Sequence, residues 1–328
     1  ARKPVEGTVQ FTATRPAGES PWVFSNAATA KWFDTIRGNY RTLGEVANLA
    51  QGFKTGADKV FVVEYVETKG SLTLVRSPAT LQSHWVETKS LYPLVKSEHM
   101  KSYELKNSPL RLILPYKRSG AKWRLFTPEE MDKAFPRLWN EYLLPLRPTL
   151  ACRENGRWDG PTFYQYSRPQ NFEALASPKI INPDICEHPQ MCWDASGKYK
   201  FSGGAAGGVA IVPSKDVSPF FLMGILNSRF SDHWIRANGT PFRGGYLNCE
   251  IRFIRNLPIK LPETAAEKKL AERIVASVRE IVAAKTKLRA SDKLSDRERR
   301  TLEGEVENHE LRIDQAIFQL YGVEGLPE

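Results

Sequence analysis

An α+β fold is predicted, and three observations predict it. Short β-branched runs are separated by turn residues. Short helical stretches lie among them without the regular alternation of βαβ units. From residue 263 onward the texture changes to sustained helical periodicity. The expectation is a strand-rich body with interspersed helices, closed by a C-terminal antiparallel helical hairpin.

Residues 1–39 are loop-rich, with Gly7, Pro16, Gly18 and Pro21, and a short amphipathic helix is expected over 26–36. Residues 60–66 and 72–75 read as strands, parted by Lys69-Gly70, and 110–116 as a third. Thr127 caps a helix with Pro128 at its first position and Glu130 closing a capping box. Pro136 and Pro145 divide this helical stretch into two or three short pieces. Residues 179–182 and 209–212 are further strands, with Gly203, Gly204, Gly207 and Gly208 between strand-like runs. A helix is expected over 220–235, with Leu222, Ile225, Leu226 and Phe230 on one face, and a last strand over 251–259. Beyond Pro262, Thr264 and Glu267 open a helix carrying Leu270, Ile274, Val278, Ile281, Val282 and Leu288. Ser295 and Glu298 open another, carrying Leu302, Val306, Ile313, Ile317 and Leu320, and Gly322 stops it. Each apolar stripe needs a cover, so the two helices should pack on one another and on the body.

The chain of 328 residues carries a formal charge of +10. Residues 261–328 hold 12 Lys and Arg against 14 Asp and Glu, leaving 35 against 23 in residues 1–260. The positive excess therefore belongs to the body, which suits a polyanionic partner, because each cation near a phosphate releases condensed counterions. No apolar run is long enough to span a bilayer, no secretory leader opens the chain, and a membrane partner is not expected. The first residue is Ala1, so the chain is expected to be cut from something longer. The four cysteines suggest reduced cytoplasmic thiols, and the Cys186, His188 and Cys192 spacing does not follow a zinc pattern.

Catalytic signatures are few. The glycines at 203–208 precede a strand and not a helix, so they do not make a nucleotide loop. No Gly-x-Ser-x-Gly elbow is present. An amino-methyltransferase loop needs Asn or Asp, two prolines and an aromatic to hold and stack the flipped base. Asn182-Pro183-Asp184 is the nearest match and lacks the second proline and the ring. Asp58, Glu67 and Lys69 approximate a metal-dependent nuclease pattern, which is kept as an alternative. Neither a metal nor a cofactor is expected in this chain.

Three segments have the residue types that contact nucleic acid. Residues 96–124 hold eight Lys and Arg, centred on Lys117, Arg118 and Lys122 beside aromatic residues. Residues 153–171 combine Arg153, Arg157, Trp158 and Arg168 with Asn and Gln, the types that hold phosphates and read base edges. Arg243 stands in a glycine-rich loop with Gly244 and Gly245.

The order of motifs resembles the TaqI-like specificity domain, the C-terminal target-recognition part of adenine-specific DNA methyltransferases and type IIG restriction–modification enzymes. Gly52-Phe-Lys-Thr55-Gly56 followed by Val60-Phe-Val-Val resembles that domain's opening. Residues 94–103, 135–143 ending toward Arg153, and Pro178-Lys-Ile-Ile come next in the same order. Leu222-Met-Gly-Ile-Leu-Asn-Ser, Arg243-Gly-Gly-Tyr, Arg255-Asn-Leu-Pro-Ile and the closing 313–322 complete the set. The likeness covers about residues 40–322.

It implies duplex DNA as a partner and a methyltransferase catalytic domain, in cis or in trans, that would bind S-adenosylmethionine. It implies a connector over 1–39, a recognition domain over 40–262 and the helical hairpin over 263–328. Lys117, Arg118, Lys122, Arg153, Arg157, Trp158, Arg168 and Arg243 are the expected DNA contacts. Gly52, Thr55, Gly56, Gly244 and Gly245 are expected to shape the cleft. A cytoplasmic bacterial protein of restriction–modification or phage defence would fit. The other alternative is a protein-interaction module docking through the C-terminal helices.

Overall fold

The structure is a computed structural model. It describes residues 40–326 apart from 121, 205–206, 240–242 and 291–293, together with 12, 13, 24, 25, 32, 35 and 36. The expected helix over 26–36 falls almost wholly outside the described residues; of it, Trp32, Thr35 and Ile36 are helical.

Eleven strands position the candidate site. In chain order they are β1 (Ala47–Gln51), β2 (Val62–Lys69), β3 (Leu72–Arg76), β4 (Ser83–Glu87), β5 (Leu91–Pro93), β6 (Leu110–Ile113), β7 (Tyr116–Ser119), β8 (Lys122–Leu125), β9 (Lys179–Pro183), β10 (Cys192–Asp194) and β11 (Gly208–Pro213). A five-stranded antiparallel sheet has the order β4-β3-β2-β6-β5, and a four-stranded one has the order β10-β9-β11-β1. β7 and β8 form a separate hairpin around Gly120, whose φ of +60° is one that glycine adopts freely. The helices that brace these sheets are α1 (Pro128–Ala134), α2 (Pro219–Asn227), α3 (Arg229–Asn238), α4 (Ala265–Ala290) and α5 (Asp296–Tyr321). The α+β architecture closed by two long C-terminal helices is the one the sequence predicts.

The four-stranded sheet divides two cores, and the two-residue period of its strands explains how. Ile180 and Ile211 are cross-strand partners and point into one core; Ile181 and Ala210, the next pair, point into the other. The first core is closed by α2, α3, α4 and α5. The second is closed by the five-stranded sheet and an aromatic group, in which buried Tyr166 packs against Phe53, Phe61 and Tyr116. Burying both faces of β9 accounts for its uninterrupted Lys-Ile-Ile-Asn-Pro, all five buried.

The helical hairpin is attached by packing and by polar ties. Gly224 of α2 lets α4 approach so closely that a Cβ there would lie 2.5 Å from Ile274 Cγ2. The Asp314 carboxylate of α5 accepts from the Arg229 amide at the start of α3, 3.0 Å, and Lys285 donates to the Ser102 carbonyl at 2.9 Å. Both capping boxes are present, with the Glu267 amide donating to Thr264 Oγ1 at 3.2 Å and the Glu298 amide to Ser295 Oγ at 3.3 Å. Gly322 ends α5 at φ +66°.

Four expectations are corrected. The single helix over 220–235 is two, broken at Ser228, whose backbone is extended. Ser228 Oγ donates to the Ile225 carbonyl at 2.6 Å and accepts from the Ser231 amide at 3.4 Å, so one side chain ends α2 and caps α3. The strand over 251–259 is a helical turn, Ile251–Ile254, and then the two-residue strand Pro258–Ile259. The Asn248 side chain accepts from the Glu250 amide at 3.2 Å just before that turn, a local bond that competes with strand pairing. The strand expected over 110–116 stops at Ile113; Leu114-Pro115 separates it from β7. Residues 58–61 form a helical turn, so β2 starts two residues later than the apolar run suggests. The divided helical stretch after Thr127 is found, as Pro128–Ala134, Leu138–Leu143 and Arg147–Ala151.

Candidate nucleic-acid interface

β9 and β1 end, and β11 begins, at the same end of the four-stranded sheet. The loops that leave this end, 51–58, 184–186 and the described residues 203, 204 and 207, form the candidate interface together with segment 168–171, which lies against the first of them. The turn Arg243–Gly245 joins them, because Leu247–Asn248 pairs with Ile185–Cys186.

The loop 51–58 lies at the centre. Gly52 sits so close to the 201–202 backbone that a Cβ would come within 2.5 Å of it. Gly56 has φ +71°, and a Cβ there would lie 1.9 Å from Ser167 Oγ. Thr55 is fully buried; its hydroxyl bonds the Asp58 carboxylate and accepts from the Ala57 amide at 3.1 Å. Lys54 bridges to Arg168, and Phe53 to Ser202. Gly52, Thr55 and Gly56 thus let this loop lie flat against two neighbouring segments. Gly244 and Gly245 both have positive φ, +75° and +80°.

The expected contact residues differ in what they have free. Arg153 Nε donates to the Leu150 carbonyl at 2.8 Å, Nη1 to Thr55 at 2.8 Å, and Nη2 to Phe163 and Gln165 at 2.7 and 2.9 Å. Four backbone carbonyls occupy its fork, so it staples the 150–166 segment to the central loop and has little left for DNA. Lys117 lies 2.7 Å from Glu130, which also takes a bidentate pair from Arg124 at 2.7 Å. These two partners, Arg124 first, hold the Glu130 carboxyl well below the usual range. Lys117 is therefore held in an ion pair within the protein, although the one carboxylate shared with Arg124 leaves the cluster a net positive charge.

Arg118 reaches Glu173 at 3.3 Å but stays exposed, as does Lys122. Arg157 is exposed, 3.7 Å from Glu154 and with its guanidinium over the Trp158 ring. Arg153 lies over the same ring, so half-buried Trp158 sits among two cations. Arg168 is exposed beside Lys54. Arg243 is placed by its backbone in the glycine turn. The β7–β8 hairpin docks on this region through Trp123, stacked on Phe172 with centroids 5.4 Å apart.

Sequence reading missed Lys54 and the exposed Lys59. The signal was present, since both lie in or beside the glycine loop, but the loop was read for its shape and not for its cations. It also missed a polar floor beneath the loops. Asp184 is buried; its carboxylate accepts from the Gly204 amide at 2.8 Å, and its backbone amide and carbonyl bond Gly207 and Cys249 at 3.1 and 2.8 Å. Burial pushes its carboxyl up to about 6, aided by Glu250 and opposed by the Gly204 amide, the Gln51 side chain and Lys54. Asn182 is buried too, its amide donating to the Cys249 carbonyl at 3.0 Å. Asn182-Pro183-Asp184 is thus a strand end that ties three loops together, with Pro183 paired to Gly208.

The alternatives fare differently. Asp58 is bonded to Thr55, whereas Glu67 and Lys69 form an exposed ion pair of 2.9 Å near the far end of β2. Asp58 precedes β2, so at about 3.3 Å per strand residue Glu67 stands more than about 15 Å along it. The nuclease pattern is not assembled. Cys186 lies in the first core, 3.1 Å from Cys249 Sγ, and Cys192 in the second. Among the described residues no group of three His, Cys, Asp or Glu is arranged to hold a metal ion, and no helix is long and apolar enough to cross a membrane. A module docking through the C-terminal helices would need their apolar stripes open. Their central residues, among them Ile274, Val278, Ile281, Ile313, Ile317 and Leu320, are buried, while Leu270, Val282, Leu288 and Leu302 are half-buried and Leu311 is exposed.

No family model matches the chain. It is 27% identical over 261 residues to the type II methyltransferase M.BanIII of Aneurinibacillus aneurinilyticus, a match of 75% of this chain and 40% of that protein. It is 24% identical over 254 residues to the type II methyltransferase M.PaeR7I of Pseudomonas aeruginosa, covering 77% and 39%. The chain thus spans about 40% of the length of these curated relatives. Among solved structures, the type IIL restriction–modification enzyme MmeI, determined in complex with DNA, shares the fold with a TM-score of 0.53 at 13% identity. That match covers 88% of this chain and 34% of MmeI. The likeness to one part of methyltransferases and restriction–modification enzymes, expected from the order of motifs, is found.

Proposed function

We propose that this chain recognises a specific duplex DNA sequence and supplies target choice to an N6-adenine DNA methyltransferase of a restriction–modification or phage-defence system. One observation carries the reading: three quarters of the chain matches about two fifths of type II methyltransferases. The site agrees with it. Lys54 and Arg168 stand on segments at a rigid sheet end, Lys59 on the helical turn that follows, Arg118 and Lys122 on the β7–β8 hairpin, and Arg157 beside Trp158; cations set on rigid supports are how a phosphate-tracking surface is built. Trp158 and Arg243 complete the set of contacts, while Arg153 and Lys117 set loop geometry.

In this reading residues 1–39 connect to the methyltransferase domain, 40–262 recognise DNA, and 263–328 brace the recognition body. S-adenosylmethionine belongs to the methyltransferase domain, in cis or in trans, and the protein works in the bacterial cytoplasm, where its DNA is. The test is binding to random-sequence duplex across a salt series, and then selection of bound sites. The expected result is affinity that falls steeply with salt and one enriched motif. A flat salt response with no enriched motif overturns the proposal.

A further inference from the structure

The turn 77–82 between β3 and β4 holds one apolar side chain out in solvent. Leu81 is 83% exposed, far more than any other large hydrophobic residue described. Its φ is +57°, a left-handed conformation that costs a non-glycine residue free energy. The turn is prevented from relaxing. The Leu81 amide donates to the Ser77 carbonyl and the Ser77 amide to the Gln82 carbonyl, both at 2.9 Å. Buried Ser77 Oγ accepts from the Ala79 and Thr80 amides at 3.1 and 3.4 Å. It gives its own proton to Tyr142 Oη at 2.8 Å, because the Tyr142 hydroxyl donates to the Val60 carbonyl at 2.7 Å. Thr80 Oγ1 pairs with His84 Nε2 at 2.7 Å. A strained and exposed apolar residue held this firmly contributes nothing to the core, and such outliers point to function.

Its surroundings indicate what it meets. Leu81 borders a recess of about 500 Å³ floored by Val62, Leu94 and Leu110. Lys59, Arg76 and Lys96 stand exposed around it, none in an ion pair with a described residue. Two carboxylates share the recess with these three cations: exposed Asp58, which accepts from the Thr55 hydroxyl, and Glu64, which faces Arg76 in strand register, so the positive charges outnumber the negative. Ser202 lines the same recess and bridges to Phe53, so the recess continues the central loop of the candidate interface. Cations that can hold phosphates around one rigid apolar tip suit a duplex. There the tip enters between base pairs and replaces stacking contacts while the cations anchor the backbone.

We infer that Leu81 is a wedge that unstacks one base step of the bound duplex. The inference rests on the DNA-recognition reading and deepens it. The test uses the full chain and the duplex recovered by site selection, with 2-aminopurine replacing adenine at successive positions. The native chain should raise emission at one step. Leu81→Ala should abolish that rise and weaken binding by about tenfold, and Leu81→Met should restore most of both. Circular dichroism and melting should match the native chain, since the side chain is exposed. If Leu81→Ala binds the selected duplex with native affinity and emission, the wedge is overturned while target recognition stands. If that variant instead loses a methyltransferase partner with DNA binding intact, the turn is a protein contact and the wedge is equally overturned. If the native chain selects no site and binds no duplex, both readings fall together.

Discussion

At the scale of the residue, the most instructive groups are those whose chemistry is used up inside the protein. Arg153 belongs to a residue type that reads guanine, yet its fork closes on four backbone carbonyls. Arg153→Ala should leave several of those carbonyls without partners and destabilise the fold by about 2–4 kcal/mol, and Arg153→Lys should recover little of it, since an ammonium cannot reproduce the planar fork. Chemical denaturation checks both; a neutral Arg153→Ala would return this residue to the DNA contacts. Asp184 makes a pH prediction. Its carboxyl is pushed up to about 6 from 3.8, so between those values the folded form binds more protons than the unfolded one. Stability therefore falls as pH rises from about 4 to about 6, and the cost persists above that. Asp184→Asn should raise the melting temperature at pH 7.5, by up to about 3 kcal/mol in stability, and the gain should vanish below about pH 4. A loss at pH 7.5 would show that Lys54 and the Gly204 amide need the charge.

At the scale of the element, single small residues decide where helices break and touch. The run from Phe220 to Ile235 keeps one apolar face throughout, and nothing in its periodicity marks the break. Ser228 breaks it because its hydroxyl bonds the chain on both sides and α3 is then free to pack at its own angle. Gly224 is the counterpart in packing. A methyl group there meets Ile274 at 2.5 Å and Val278 at 3.2 Å on α4, both core residues with nowhere to move. Gly224→Ala should cost about 1–3 kcal/mol through overpacking, measured by thermal unfolding. A variant as stable as the native chain would mean that α2 and α4 can part without loss. Caps were legible for the opposite reason: Thr127, Thr264 and Ser295 each act on the backbone three residues away, so their effect is written within four residues of sequence.

At the scale of the whole molecule, charge and architecture are divided between two parts. The positive excess lies in residues 1–260, and the helical hairpin is nearly neutral. The candidate interface gathers at one end of the four-stranded sheet, whereas α4 and α5 cover one of the two cores that sheet separates. Charge reversal should separate these parts. Lys122→Glu with Arg168→Glu should weaken duplex binding at least about tenfold and flatten its salt dependence, each lost phosphate contact reducing the slope by about 1. Arg297→Glu with Arg300→Glu, both exposed on α5, should change neither. Equal effects from the two pairs would show that binding is diffuse attraction to a basic protein and not recognition by this interface.

The sequence by itself determined the α+β class, the closing helical hairpin, the caps and the basic body, and it marked the glycines on which the 51–58 loop turns. These rest on local rules: periodicity, capping distance, backbone freedom at glycine and summed charge. The tertiary structure alone decided which cations remain free. Lys117 and Arg153 look as available in sequence as Arg118 and Arg168, but Glu130 and four carbonyls reach the first two from segments up to 98 residues away. It also decided that Asp58 and Glu67 stand apart and that Cys186 and Cys192 lie on opposite sides of one sheet. A side chain's partners across the fold depend on chain paths that no short stretch of sequence specifies, and those partners determine whether a charge is a contact or a staple.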